Sequence, residues 1–310
     1  MRRTTSIEKL DRTDLLSKFG LLAGLLFICV IRVFAQDEDK ELKIESSIVV
    51  LNASVKDASG RHVPGLRQPQ FTVFEDGIEQ PIEFFSAEDT PFAAVILLDT
   101  SGSMEERVSL ARAAAIRFLD GLRESDNVAI YRFDSKVILV QGFSNSRDVD
   151  EKVYDLKADG MTKMNDAVYE AAVELSKRPE KRKAIIILSD GQDTMSGRSA
   201  DKVLKAAMAA DIVFYTVDMS PIGDSKRVQN QGPLKDFAEK SGGTFVATPG
   251  GAAMREAFEK IVAELGVQYT IGYSPLNTKK DGKWRTIELR VAKPNLTIRT
   301  RKGYQAPKEK

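Results

Sequence analysis

Three hydrophobic patterns succeed one another along the chain. From Ile44 to about residue 90 the runs are β-rich: "IVVLNASV", then turn chemistry in "DASGRHVPG", then "FTVFEDGIEQPIEFF". In the last of these, Asp76-Gly77 between two β-rich stretches signals a hairpin, and no helical period appears. From Phe92 the pattern changes. "FAAVILLD" is a continuous apolar run, as expected for a strand covered on both faces. Val108, Ala111, Ala115, Phe118, Leu119 and Leu122 then fall on one helical face. "NVAIYRFD" and "KVILVQGF" read as antiparallel neighbours, followed by a short helix near 147–156. Met164, Ala167, Val168, Ala171, Ala172 and Leu175 trace the next helix, and "KAIIILSD" repeats the buried strand that ends in aspartate. A helix at about 199–210, the strand "IVFYTVDM", a helix after Pro233, the strand "TFVA" and a helix at 252–265 complete the series. After Gly266 strands return in "VQYTIGY", "WRTIELRVA" and "LTIRTRKGY".

Strands alternating with helices at this spacing predict a doubly wound, mostly parallel sheet with helices on both faces. The β-rich flanks are each too small to hold a core alone. Chain ends of a domain often lie close together, so the flanks are expected to form one split β-sandwich into which the α/β domain is inserted. The expected boundaries are 44–90 and 267–305 for the sandwich, 91–266 for the α/β domain and 306–310 for a tail.

The first 35 residues differ in kind. A net-positive start (Arg2, Arg3, Lys9, Arg12, Lys18) precedes "FGLLAGLLFICVI", thirteen apolar residues. That suits a signal-peptide core and is short of the roughly 20 residues a membrane span needs. Ala35 then offers a cleavage point, with an uncleaved anchor as the alternative and residues 36–43 as a charged linker. The mature chain would have no transmembrane span. Cys29, the single cysteine, lies inside the apolar run, so the mature protein would have no disulfide or thiolate chemistry. The expectation is export to the periplasm or surface of a bacterium. A net charge of +1 gives no electrostatic reason for nucleic-acid binding.

Candidate chemistry gathers where strands end. Ligands of such sheets sit beyond the carboxyl ends of the strands, near the point where strand order reverses. There the chain places Asp99-Thr-Ser101-Gly-Ser103, the loop with Thr162, and Asp190-Gly191. Two carboxylates and three hydroxyls form an all-oxygen set of limited negative charge, which a small hard cation accepts. Three chemistries compete for the first cluster. An aspartic protease needs two similar lobes sharing a proton between aspartates, and no second copy exists. A Ser-His-Asp hydrolase needs a histidine, and His62, the only one, lies in the flanking β segment. A haloacid-dehalogenase phosphatase would need Asp where Ser101 stands. Catalysis is therefore not expected.

"DTSGSM" fits the D-x-S-x-S signature of the von Willebrand factor type A domain, "GMTKMNDA" resembles that family's threonine loop, and "ILSDGQD" its last loop. The flanks, with "FTVFEDG" and "RTRKGYQAP", look like those of the exported VWFA-related proteins of Acidobacteria. The resemblance implies a metal-ion-dependent adhesion site held by Asp99, Ser101, Ser103, Thr162 and Asp190. It implies Mg²⁺, with Mn²⁺ or Ca²⁺ as alternatives, and a protein partner that offers an Asp or Glu carboxylate to the ion. One departure is Met161, where many members have a second glycine. Met104, Met161 and Asp193 are the candidate rim of the partner surface, and Asp166 is a candidate anchor of the threonine loop. A scaffold of envelope assembly with a purely structural ion is the second reading, and a metal-dependent hydrolase the third. The basic stretch "RPEKRK" before Ala184 reads as a solvated connection, and Trp284 and Tyr304 as packing residues of the sandwich.

Overall fold

The computed structural model describes residues 48–309, apart from 88–89, 149, 222–226 and 248–251. The described residues belong to one compact unit, within Ile44–Lys310. The signal-peptide and linker expectations, with Ala35 and Cys29, fall outside the described residues. No helix of the described residues is long and apolar enough to cross a membrane.

A six-stranded sheet forms the centre. Its strands are β5 (Phe92–Asp99), β6 (Asn127–Phe133), β7 (Val137–Ser144), β8 (Arg182–Ser189), β9 (Ile212–Asp218) and β10 (Thr244–Ala247), in the spatial order β10-β9-β8-β5-β6-β7. All pairs are parallel except β6 with β7. Every residue of β5 is buried, as its unbroken apolar run requires when helices cover both faces. Helices α1 (Val108–Asp120) and α5 (Ala252–Gly266) pack against each other. Both share one core with Phe92, Ala94, Ile96 and Leu98, alternate residues of β5. Helices α2 (Met164–Ser176), α3 (Ala200–Ala209) and α4 (Arg227–Ser241) follow in series, α2 against β5 and β8, α3 and α4 against β9. Strand order reverses between β5 and β8, and a crevice at their carboxyl ends follows from that topology.

The flanks form two antiparallel sheets that interleave both ends of the chain. One is ordered β13-β1-β11-β4, from Thr297–Arg299, Val49–Lys56, Tyr269–Tyr273 and Phe84–Ser86. The other is β14-β12-β2-β3, from Gly303–Gln305, Trp284–Val291, Phe71–Glu75 and Ile78–Gln80. Leu51 lies opposite Ile271, and Val73 opposite Leu289. These residues share a core with Phe71, Tyr269 and Ile287, so neither flank closes without the other. The Asp76-Gly77 hairpin has φ of 49° and 82°, the paired positive values that a two-residue turn of this hand needs.

Four expectations are corrected. Residues 147–156 hold a single 3₁₀ turn, Glu151–Val153, started by the Asp150 carboxylate on the Lys152 N–H at 2.9 Å. Helix α4 begins six residues before Pro233 rather than after it. Gln231 bonds Asp218 at 2.6 Å and holds the turn ahead of the proline to the end of β9. Trp284 is 45% exposed, because β12 alternates and its even positions face outward. The largest correction is Arg182. Far from solvated, it is fully buried. Its Nε donates to Thr270 Oγ1 at 3.0 Å, and its Nη groups reach the carbonyls of Ala87, Thr90, Leu265, Gly266 and Gln268. Those carbonyls belong to the two segments by which the chain leaves and re-enters the sandwich.

His62 bridges to Lys56 at the sandwich edge. Burial first, then the charges of Lys56 and Arg299, hold its imidazole below the ordinary value. The unfolded chain takes up this proton near pH 6.5, where the fold resists it. Its contribution is thus complete above about pH 6.5 and is lost as pH falls below that. Urea midpoints of His62→Gln should decline less between pH 7.5 and 5.5 than those of the parent; equal declines would contradict this.

Candidate functional site

The crevice at the β5–β8 switch point is where the polar loops meet. β5 delivers Asp99 as its last residue, fully buried. The chain then turns through a 3₁₀ turn, Gly102–Met104, and this curls the two serines back over the strand end. The Ser101 N–H and Oγ donate to Asp99 Oδ1 at 2.9 and 2.6 Å, and Ser103 Oγ lies 3.2 Å from Ser101 Oγ. From the neighbouring strand, Ser189 Oγ donates to Asp99 Oδ2 at 2.5 Å. That bond closes the crevice across the two strands.

Main-chain bonds bring in the remaining loops. The Gly102 N–H donates to Gly160 O at 3.1 Å and the Asp159 N–H to Thr100 O at 2.9 Å. The Thr162 N–H donates to Thr194 Oγ1 at 3.0 Å, while its carbonyl accepts from Thr194 and Met195. Thr162 thus spends its main chain on the fold. Asp190 follows β8 and is 2% exposed. Its carboxylate accepts from the Gln192 N–H at 3.0 Å and from Gln192 Nε2 at 3.1 Å. Thr162 and Asp190 therefore reach the crevice on loops that are joined to each other and to the Asp99 turn.

The electrostatics are unbalanced. Burial pushes the Asp99 carboxyl up to about 7, against the hydrogen bonds from Ser101 and Ser189, and Asp190 adds like-charge repulsion. Among the described residues no cationic side chain is a cause of that shift. A buried carboxylate without a counter-charge is costly by itself, and a hard cation with oxygen ligands offsets that cost. The donor chemistry therefore suits such an ion. Among the described residues no group of three His, Cys, Asp or Glu side chains forms an alternative metal site.

The model of the von Willebrand factor type A domain matches residues 94–260, more than half of the chain. The chain belongs to this family. No curated protein matches it in sequence. Among solved structures it is similar to the von Willebrand factor type A protein of Catenulispora acidiphila, with 15% identity, 83% of this chain and 73% of that one covered, and a TM-score of 0.48. It is similar to the vWF domain of the type V pili tip protein Mfa5 of Porphyromonas gingivalis, with 16% identity, 57% and 95% covered, and a TM-score of 0.46. A third likeness is a D319A mutant of the PilB minor pilin of Streptococcus sanguinis, with 15% identity and a TM-score of 0.46. It covers 57% of this chain, which spans 62% of the pilin chain.

Two rim expectations fail within the von Willebrand factor type A domain. Met104 is fully buried, because the 3₁₀ turn directs it into the core beneath α1. The Asp193 carboxylate is committed to the fold. It accepts from the Asn165 N–H at 2.8 Å and the Ser196 N–H at 3.0 Å, capping α2, whose preceding residue Lys163 makes no side-chain cap. Met161 is half exposed beside Thr162. Asp166 accepts from the Gly197 N–H and from Arg198 Nη1, both at 3.2 Å, and so anchors the loop that meets Thr162. Ser189 and Thr194 were missed. The pattern hid Ser189, since a serine beside an aspartate at a strand end reads as turn chemistry.

Gly191 shapes the Asp190 loop. Its φ is 84°, and a Cβ there would stand 2.1 Å from the Asn230 carbonyl of α4. Gly191→Ala should cost about 1–3 kcal/mol through backbone strain and the clash. Thermal unfolding without metal checks this, and an unchanged midpoint would contradict it.

Proposed function

We propose that this chain is a non-enzymatic protein-interaction module that engages an acidic residue of a partner through a divalent cation. Asp99, Ser101, Ser103, Thr162 and Asp190 hold the ion, Mg²⁺ foremost. Because the hydroxyls are neutral, a bound ion supplies an electrophilic position for an outside carboxylate. What supports the reading is that Asp99 and Asp190 are both buried at the ends of neighbouring strands, with the Ser101 hydroxyl on Asp99 and the Ser103 hydroxyl beside it.

The chain's own residues do the preparatory work. Ser189 holds Asp99 Oδ2, and Gln192 holds both oxygens of Asp190, so the carboxylates are oriented before any ligand arrives. His62, the sole histidine, sits in the sandwich bridge with Lys56, so no histidine stands beside a serine of the crevice. We further propose that the module acts outside the cytoplasm of a bacterium, on the strength of the amino-terminal pattern. Partner binding should disappear with chelator, return with Mg²⁺ and be lost in Thr162→Ala with the fold intact by circular dichroism. A partner complex indifferent to chelator would favour the scaffold reading instead.

A further inference from the structure

A cleft of about 650 Å³ opens beside the crevice. It lies between the β6–β7 hairpin and residues 152–160, over an apolar floor of Ile138, Val140 and Leu156. Its end is Gly160, the residue whose carbonyl accepts the Gly102 N–H of the Asp99 turn. The cleft therefore begins where the candidate ion site stops. Met161, half exposed, stands between the two and donates its N–H to Ser135 Oγ at 2.9 Å.

One wall is a sheet edge. Among the described residues no strand pairs with the outer side of β7. Beside its later half, the Gln141 side chain accepts from the Asp150 N–H at 3.0 Å and donates to Asp148 O at 3.4 Å. The first half, Val137 to Val140, carries no charged side chain, and Leu139 is 49% exposed. Natural edge strands are often protected by charge or proline, and this stretch has neither. With Arg132 paired to Asp134 at 2.5 Å, three lysines face two aspartates around the cleft. Charge is nearly balanced, so recognition there rests on main-chain pairing and the apolar floor.

We infer that the partner contributes an extended segment which adds a strand to β7 and seats apolar side chains in this cleft, downstream of the carboxylate taken at the crevice. The inference rests on the ion reading above. A strand beyond β7 lies three strand spacings from β5, about 14 Å, which an extended chain crosses in about four residues. The recognised segment is thus an Asp or Glu, a spacer of about four residues, and then a β-forming apolar stretch, with the main chain giving affinity and the floor giving selectivity.

The test is a random twelve-residue peptide library displayed on phage, selected on the full chain in Mg²⁺ and eluted with chelator. The expected motif is an acidic residue followed at that spacing by apolar residues. A synthetic peptide of the selected sequence should lose at least about tenfold in affinity on Ile138→Glu while Mn²⁺ binding is unchanged. N-methylation of alternate peptide residues in the apolar stretch should weaken binding similarly, and methylation of the intervening ones should not. This alternation is read on the peptide, so it does not depend on how a variant folds. Chelator-sensitive peptides without the apolar stretch, or without the alternation, would overturn the cleft and leave the ion reading standing. A selection that yields no chelator-eluted peptide would overturn both.

Discussion

In Asp99→Ala, addition of Mg²⁺ is expected to leave the thermal midpoint unmoved, whereas in the parent chain it raises it. Any ligand that binds only the folded state stabilises it by mass action, by about 2.7 kcal/mol at a hundred times the dissociation constant. For a domain of this size, about 2–4 °C accompany each kcal/mol, so the parent should gain about 5–10 °C. Asp99 is fully buried and bonded by Ser101 and Ser189, so alanine removes the oxygens around which the serines are arranged. The same substitution also removes a buried carboxylate that has no cationic partner. Without metal, the variant should therefore unfold no earlier than the parent by more than about 1 kcal/mol. A metal-dependent rise retained in Asp99→Ala would place the ion elsewhere.

Arg182→Met should be the most damaging single change outside the crevice. Five carbonyls and the Thr270 hydroxyl converge on this buried guanidinium. Methionine fills part of the volume but donates nothing, and buried acceptors without donors are costly. Removing one side of a buried charged arrangement costs about 3–5 kcal/mol, so the midpoint should fall on the order of 10 °C. Lysine should rescue only partly, since it lacks the planar fork that serves two chain segments at once. The loss should appear in the apo and Mg²⁺-loaded protein alike, because Arg182 lies at the start of β8 and the crevice at its end. A variant as stable as the parent would show that the carbonyls find water or other donors.

Most of the fold could be read from periodicity. The faces of α1 and α2 are the residues picked out by a 3.6 period, and the fully buried β5 and β9 are mostly apolar runs that end in aspartate. The Asp76-Gly77 hairpin followed from turn chemistry alone. Where reading failed, tertiary context prevailed over local pattern. Arg182 sits in a run of charges that looks solvated, and nothing local reveals that five distant carbonyls need it. Residues 147–156 have some helical period, but Asp150 caps only a single turn there. Pro233 marked a helix start by propensity, yet contacts from Gln231 to β9 extend the helix ahead of it. At the ends of β5 and β8, the loops that carry the five expected residues do meet through main-chain hydrogen bonds. What was not legible is the supporting pair Ser189 and Thr194, whose hydrogen bonds to Asp99 and Thr162 exist only once distant segments meet. Met104 and Asp193 misled for the same reason, since proximity to a motif in sequence does not say which way a side chain turns.

The central claim is that five side chains from three loops share one cation. Anomalous diffraction from crystals soaked in Mn²⁺ measures that directly. The account predicts one strong peak in the crevice, within about 2.0–2.4 Å of oxygens from the set Asp99, Ser101, Ser103, Thr162 and Asp190 or bridged to the aspartates by water. One position on the ion should be held by water or by a carboxylate from a neighbouring molecule. A crevice without a peak at saturating Mn²⁺, with Thr162 and Asp190 turned away from Asp99, would contradict it.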